Sequence, residues 1–298
     1  MFTGCGTALV TPFRSDLSLD EPTLRALVRR QIEAGINFLV PCGTTGESPT
    51  LSRAEHLRVV EITLEEAKGK VPVLAGAGGY NTHEVIELAR ELEALGADGI
   101  LSVTPYYNRP TQEGLYQHYR AIAAATRLPI VVYSVQGRTG VNVEPATLGR
   151  LARIDNIVAV KEASGNISQM ASVIQEVPAD FIVLSGDDAI TIPLAALGGH
   201  GVISVASNQI PGEMTAIAQA CLRGDYAGAR ALQRQFLPLM SINFIESNPI
   251  PVKAAMALMG LLEPVWRLPL VPPSEASLAK IETVLQSVGL LGGVPVAR

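Results

Sequence analysis

Short apolar runs recur along the chain: GTALV near the start, INFLVPC from Ile36, PVLAGAG from Pro72, GILSV from Gly99, PIVVYSV from Pro129, IVAV from Ile157, FIVLSG from Phe181 and GVISVAS from Gly201. Each is continuous rather than alternating, the pattern of a parallel strand covered on both faces. Amphipathic stretches lie between them. After Ser52, the residues Leu57, Val60, Leu64 and Ala67 fall on one helical face, and Ser52 and Glu55 have capping-box spacing. After Thr82, Val85, Leu88, Leu92 and Leu95 do the same. Both stripes read as core-facing helix. From about Pro211 to Leu290 the pattern is helical only.

Strands alternating with helices at a spacing of roughly 20 to 35 residues predict an α/β fold, a (β/α)8 TIM barrel. The barrel spans residues 1–210 and a C-terminal helical extension packed on it spans 211–298. The competitor is a doubly wound sheet, which carries a glycine-rich phosphate turn after its first strand. GCGTAL at Gly4 lacks the third glycine and any helix start, and GAGGYN at Gly76 is similarly weak.

Composition narrows the class. A chain of 298 residues is two domains at about 150 residues each, or one barrel of about 250 with additions. With 48% hydrophobic and 17% charged residues there is material for a large core, which argues against disorder. The 23 Lys and Arg against 28 Asp and Glu give a net charge of −5, and no basic block is present, so a nucleic-acid partner is not expected. The longest apolar runs are strand-sized, which argues against a membrane span. The opening MFTGCGTALVTPF shows no charged segment and no cleavage site of a secretory signal. Cys5, Cys42 and Cys221 are odd in number and far apart, so they form no disulfide framework. The expected location is cytoplasmic.

Active sites of such barrels form at the C-terminal ends of the strands. Those ends carry Gly43-Thr44-Thr45-Gly46-Glu47-Ser48, Thr104-Pro105-Tyr106-Tyr107-Asn108-Arg109-Pro110, Tyr133 followed by Arg138-Thr139-Gly140, Lys161-Glu162, Gly186-Asp187-Asp188, and Ile203-Ser204. Lys161 is the sharpest signal. Of the five lysines (Lys68, Lys70, Lys161, Lys253 and Lys280) it alone ends a predicted buried strand. Burial strips hydration from an ammonium and favours the neutral amine, a nucleophile able to form a Schiff base with a carbonyl compound. The alternative is an ion pair, with Glu162 or with a neighbouring strand. The Glu162 version is weakened because adjacent strand residues point to opposite sides.

Tyr133 can carry protons to and from a reacting carbon or oxygen, or can be a strand tyrosine with a satisfied hydroxyl. Thr44, Thr45 and their flanking glycines offer hydroxyls and backbone N–H groups to a carboxylate, or form a plain turn. Arg138 can clamp a carboxylate in two-point fashion, or be a solvated or ion-paired surface residue. His56, His83, His118 and His200 form no metal-binding spacing with each other or with cysteine, so no metal is expected. No phosphate-loop motif appears either, and no cofactor is expected. GDDAI at Gly186 places carboxylates where many barrels bind phosphate, and these are expected to repel an anion.

Taken together, GTTGES at Gly43, TPYYNRP at Thr104, Tyr133 with RTG at Arg138, VKEASGN at Val160, LSGDD at Leu184, GGHGVISV at Gly198 and NPIPVK at Asn248 resemble the dihydrodipicolinate synthase family, over essentially the whole chain in order. The resemblance implies a pyruvate-dependent class I aldolase. In it Lys161 forms an imine with pyruvate. Thr44, Thr45 and the backbone near Ile203 hold the pyruvate carboxylate, and Gly186 also contacts substrate. Tyr133 relays protons with Thr44 and Tyr107, and Tyr107 reaches in from a neighbouring subunit of a homotetramer, a dimer of dimers. L-aspartate 4-semialdehyde is the second substrate, with its carboxylate on Arg138, and the product enters lysine and diaminopimelate synthesis. The Thr44-Thr45 pair, the double tyrosine and Arg138 favour this branch over N-acetylneuraminate lyases and sugar-acid aldolases of the wider family. A non-catalytic barrel homologue would have lost Lys161 or Tyr133, and neither is lost.

Two departures stand out. The family usually reads YNVPxRT where this chain has Tyr133-Ser134-Val135-Gln136-Gly137-Arg138. Loss of the proline is expected to free the loop that presents Arg138, and loss of the asparagine to remove a polar contact. The second departure concerns lysine, which many members bind as an inhibitor. Positions matching that site, Ser48, His56, Glu84 and Tyr106, are retained. Arg53 stands for a usual histidine, Pro49 for a small residue and Tyr80 for an asparagine, so weak or absent lysine inhibition is expected.

Overall fold

The structure is a computed structural model and describes residues 1–291. Among these residues the apolar runs form eight strands: β1 (Gly4–Ala8), β2 (Phe38–Val40), β3 (Leu74–Gly76), β4 (Gly99–Val103), β5 (Ile130–Ser134), β6 (Ile157–Glu162), β7 (Ile182–Ser185) and β8 (Gly201–Ser204). They lie parallel in the order β2-β1-β8-β7-β6-β5-β4-β3. A parallel bridge between Leu39 and Val73 then brings β2 to β3 and curls the sheet into the predicted barrel.

Between the strands run α1 (Glu21–Glu33), α2 (Arg53–Ala67), α3 (Thr82–Leu95), α4 (Gln112–Ala125), α5 (Gln136–Thr139), α6 (Pro145–Leu151), α7 (Ile167–Glu176) and α8 (Thr191–Ala196). After β8 come α9 (Pro211–Leu222), α10 (Tyr226–Ile242), α11 (Ile250–Leu258) and α12 (Glu275–Ser287). α9 lies on β1 and β8, and α10 lies on α9 and α12. Among the described residues, no helix is long and apolar enough to cross a membrane.

The capping box at Ser52 forms in full: the Glu55 N–H donates to Ser52 Oγ, and the Ser52 N–H donates to Glu55 Oε2 at 2.9 Å. The buried arc of α2 is wider than its predicted stripe. Val59, Ile62 and Thr63 join Val60 and Ala67 inside, while Leu57 and Leu64 are half-buried. The cause is lateral packing, because α1 and α3 flank α2 and cover its sides as well as its base.

The continuous apolar runs reflect two cores. Inside the barrel, Ala8, Phe38, Val40, Leu74, Leu101, Val131, Tyr133, Ala159, Leu184 and Ile203 form one cluster. Their strand neighbours Leu39, Ile100, Val132, Val160, Val183 and Val202 face outward, against helix residues such as Val28, Leu88, Tyr119 and Met170. This parity decides the chemistry: along β6, Ala159 faces in, Val160 out, and therefore Lys161 in and Glu162 out.

Candidate active site

Register brings Lys161 and Tyr133 together. Strands β5 and β6 pair Tyr133 with Lys161 and Ser134 with Glu162. Lys161 is 5% exposed and Tyr133 6%, and the Lys161 Nζ lies 4.2 Å from the centre of the Tyr133 ring. Glu162 faces away from this pair. Its carboxylate accepts from the Ser164 N–H and from Gln169 Nε2, the latter at 2.8 Å, and burial pushes its pKa above the usual carboxylate range. The Lys161–Glu162 ion pair considered above does not form.

The turn after β2 is tightly held. The Gly46 N–H donates to Gly43 O and the Glu47 N–H to Thr44 O, both at 3.1 Å, while Thr11 Oγ1 donates to Gly46 O at 2.7 Å. Thr45 is buried and accepts from Asn248 Nδ2 at 2.9 Å. Glu47, with a left-handed backbone (φ 53°), turns its carboxylate inward. There it meets the fully buried Lys253 at 2.5 Å and accepts from the Arg267 N–H at 3.3 Å. Burial lowers the pKa of Lys253, and Glu47 opposes that shift.

Arg138 sits not on a freed loop but on the helical turn α5. The Arg138 N–H donates to Val135 O, and Thr139 Oγ1 bonds Val135 O and Val141 O, so side-chain hydrogen bonding holds the segment where the proline was missed. Ser134 likewise keeps polar contacts, because its Oγ accepts from the Val143 N–H at 3.1 Å and reaches Asn142 Oδ1. Arg138 Nη2 donates to the backbone oxygen of Asn248 at 3.1 Å. Asn248 thus touches both the threonine turn and the arginine, a role no local sequence pattern announced.

Thr44, Tyr133 and Arg138 line one cleft of about 320 Å³, and Ser48, His56 and Tyr106 line the same cleft. That volume suits small metabolites. Lys161, Thr45 and Ile203 are buried and are not on this wall. Ile203 shares the interior cluster with Tyr133. Gly186 follows β7, where its N–H donates to Glu162 O at 2.7 Å and a Cβ would strike Ala163. Tyr107 is not brought to the cleft of its own chain: it is 91% exposed on a left-handed backbone (φ 64°).

The carboxylates of the GDD segment do not face the cleft, which corrects the expectation that they repel an anion there. Asp187 accepts from the Ala189 N–H at the start of a short 3-10 turn. Asp188 is buried and accepts from the Val205 and Ala206 N–H groups, and burial pushes its pKa up.

Elsewhere on the cleft wall, His56 Nε2 meets Gly76 O at 2.8 Å, and burial lowers its pKa. Tyr106 stacks edge-on against Tyr80 with ring centres 5.2 Å apart. Burial, then Tyr80 and Glu84, push the Tyr106 phenol up. Glu84 is not on the cleft wall and accepts from Asn81 Nδ2 at 2.8 Å. Arg53 is paired with Glu91 at 2.6 Å, so its charge is compensated locally.

The site therefore offers a buried amine over a phenol, with a threonine hydroxyl and a guanidinium on the same cleft as that phenol. The dihydrodipicolinate synthetase family model matches residues 1–288. A 4-hydroxy-tetrahydrodipicolinate synthase of Koribacter versatilis is 55% identical over 296 residues, 99% of each chain. A dihydrodipicolinate synthase structure from Thermotoga maritima superposes with a TM-score of 0.96 at 48% identity, covering 98% of this chain and 100% of that one. A dihydrodipicolinate synthase from Acinetobacter baumannii, crystallised with pyruvate, gives a TM-score of 0.96 at 42% identity, with coverage of 98% and 100%.

Proposed function

The chain belongs to the dihydrodipicolinate synthetase family, and on that premise we propose how its cleft works. The enzyme is a Schiff-base lyase that condenses pyruvate with L-aspartate 4-semialdehyde in the synthesis of lysine and diaminopimelate. The observation that carries this reading is the buried cross-strand pair of Lys161 and Tyr133.

The amine of Lys161 attacks the keto carbon of pyruvate and water leaves, forming an imine. The protonated imine withdraws electrons, so a methyl proton departs and an enamine forms. Tyr133 and Thr44 carry these protons, while the Thr45 region and the backbone at Ile203 and Gly186 hold the ligands. The enamine carbon attacks the aldehyde carbon, and Tyr133 returns a proton to the new alkoxide. The amino group of the semialdehyde half then attacks the lysine-bearing carbon, which frees Lys161 and releases the hydroxylated ring. Arg138 binds the semialdehyde carboxylate.

With a panel of aldehydes and a fixed pyruvate supply, turnover is expected to be fastest on aspartate semialdehyde. Preference for a sugar-acid aldehyde would replace this reading by that of a sugar-acid aldolase. In Arg138→Ala the KM for the semialdehyde rises between about 10- and 100-fold, with a smaller change for pyruvate, since a hydrogen bond to a charged group is lost. Equal changes in both constants would remove the arginine from the aldehyde subsite.

The assembly in this reading is a homotetramer built as a dimer of dimers, with Tyr107 completing the relay in the partner's cleft. Its support is an aromatic side chain held out in solvent on a backbone that a bulky residue rarely adopts. Residues 1–210 carry the chemistry and the extension from 211 braces it; of its span to 298, residues 292–298 lie outside the described residues. The place of action is the cytoplasm, in keeping with Cys5, Cys42 and Cys221, which are buried and unpaired.

Ser48, His56, Tyr106 and Glu84 form the lysine site in this reading, weakened here by Tyr80. The compensated charge of Arg53 removes the repulsion expected of it, which leaves the Tyr80 ring against Tyr106 as the obstacle. Isothermal titration with L-lysine is expected to show weak or no binding, and Tyr80→Asn to strengthen it. Tight binding to the unaltered chain would overturn this account of the site.

A further inference from the structure

We infer that Asn248 is a positioning residue that sets the Thr45 hydroxyl as a donor toward the keto-acid carboxylate and ties the threonine turn to Arg138. The inference rests on the reading that Thr45 belongs to the pyruvate subsite.

The geometry is as follows. Asn248 immediately precedes Pro249 and α11, is 5% exposed, and lies outside the (β/α)8 repeat. Its Nδ2 donates to Thr45 Oγ1 at 2.9 Å across 203 positions of sequence, and its backbone oxygen accepts from Arg138 Nη2 at 3.1 Å. A hydroxyl has one proton and two acceptor lone pairs. With the amide N–H on one lone pair, the Thr45 proton is directed away from Asn248 and is free to be given to an anion. Asn248 Oδ1 is buried without a partner among the described residues, so the amide is kept at a cost that packing alone does not explain.

The segment that presents Asn248 is itself anchored to the same turn. Lys253, on the first turns of α11, makes the buried ion pair with Glu47, two residues after Thr45. Arg267 adds its N–H to the same carboxylate, and its guanidinium holds Thr50 O at 2.9 Å and the Glu55 carboxylate. The chain after the barrel therefore grips the threonine turn at Thr45, Glu47 and Thr50. The two protein groups assigned to the substrate carboxylates, Thr45 and Arg138, share one residue, Asn248.

The two contacts of Asn248 separate experimentally, because one uses the side chain and the other the backbone. In Asn248→Ala the side-chain bond is lost and the carbonyl that holds Arg138 remains. The KM for pyruvate rises about tenfold, while kcat and the KM for the semialdehyde change less than about twofold. Thr45→Val raises the pyruvate KM as well, and the double variant Thr45→Val/Asn248→Ala is no worse than Thr45→Val alone. If truncation impairs folding, Asn248→Leu keeps the volume, removes the same donor and gives the same split. A pyruvate KM unchanged in Asn248→Ala while Thr45→Val raises it overturns the inference and leaves the pyruvate subsite standing. Equal loss on both substrates, or additive effects in the double variant, overturns it too. No effect of Thr45→Val on pyruvate overturns the subsite reading, and the inference falls with it.

Discussion

Lys161→Ala is expected to lower kcat/KM by about a thousandfold or more, with a folded chain of nearly unchanged Tm. The loss is large because the imine supplies the electron sink that lets the pyruvate methyl group ionise, and no other lysine can replace it. Lys253 is held by Glu47 away from the cleft, Lys68 and Lys70 lie in the turn between α2 and β3, and Lys280 lies on α12. Stability is spared for a specific reason. Lys161 takes part in none of the ion pairs among the described residues, so its removal strands no buried carboxylate. Lys161→Arg is expected to fail as well: it keeps the positive charge and the stem but presents no free amine. Substantial turnover in either variant would place the chemistry elsewhere.

Lys253→Met is expected to do the opposite, damaging stability first. Lys253 and Glu47 are each fully buried, and the ammonium also lies over the Phe13 ring, 4.5 Å from its centre. Removing one partner leaves a carboxylate in the interior with only the Arg267 N–H to answer it. Such losses run to about 3 to 5 kcal/mol, which lowers Tm by roughly 10 °C in a chain of this size. Replacing both partners, in Glu47→Gln/Lys253→Met, is expected to restore most of the loss, because no charge is left unpaired. A thermal melt of the three proteins decides the point. An unaltered Tm in the single variant would mean that the pair is not the anchor of the turn.

The contrast between these two lysines shows what the amino-acid sequence made legible. The barrel was readable because each parallel strand is covered on both faces and so is written as an unbroken apolar run, as at Pro129 and Phe181. Lys161 stood out because a cation at the end of such a run must have a purpose. Lys253 carried a comparable signal, a single cation within the apolar stretch NPIPVKAAMALMG, and charged residues are rarely buried unless paired. What the stretch could not announce was the partner, Glu47, 206 positions away. The same holds for Asn248 and Thr45. The helical turn under Arg138 was hidden for another reason: α5 spans four residues, too few for a periodic pattern. The stripe on α2 included Leu57 and Leu64, which do pack against the core, but missed Val59, Ile62 and Thr63, because period alone does not reveal how far neighbouring helices wrap around the side of a helix. Tyr107 entered only through resemblance to a family, since nothing local distinguishes it from Tyr106.

The central claim is that Lys161 becomes covalently joined to pyruvate. Borohydride reduction of the enzyme with pyruvate, followed by peptide mapping, tests it most directly. The expected result is one reduced adduct, on the peptide that carries Lys161, and none without pyruvate. A chain that stays unmodified under conditions of full activity, or an adduct on Lys68, Lys70, Lys253 or Lys280 in its place, would contradict the account.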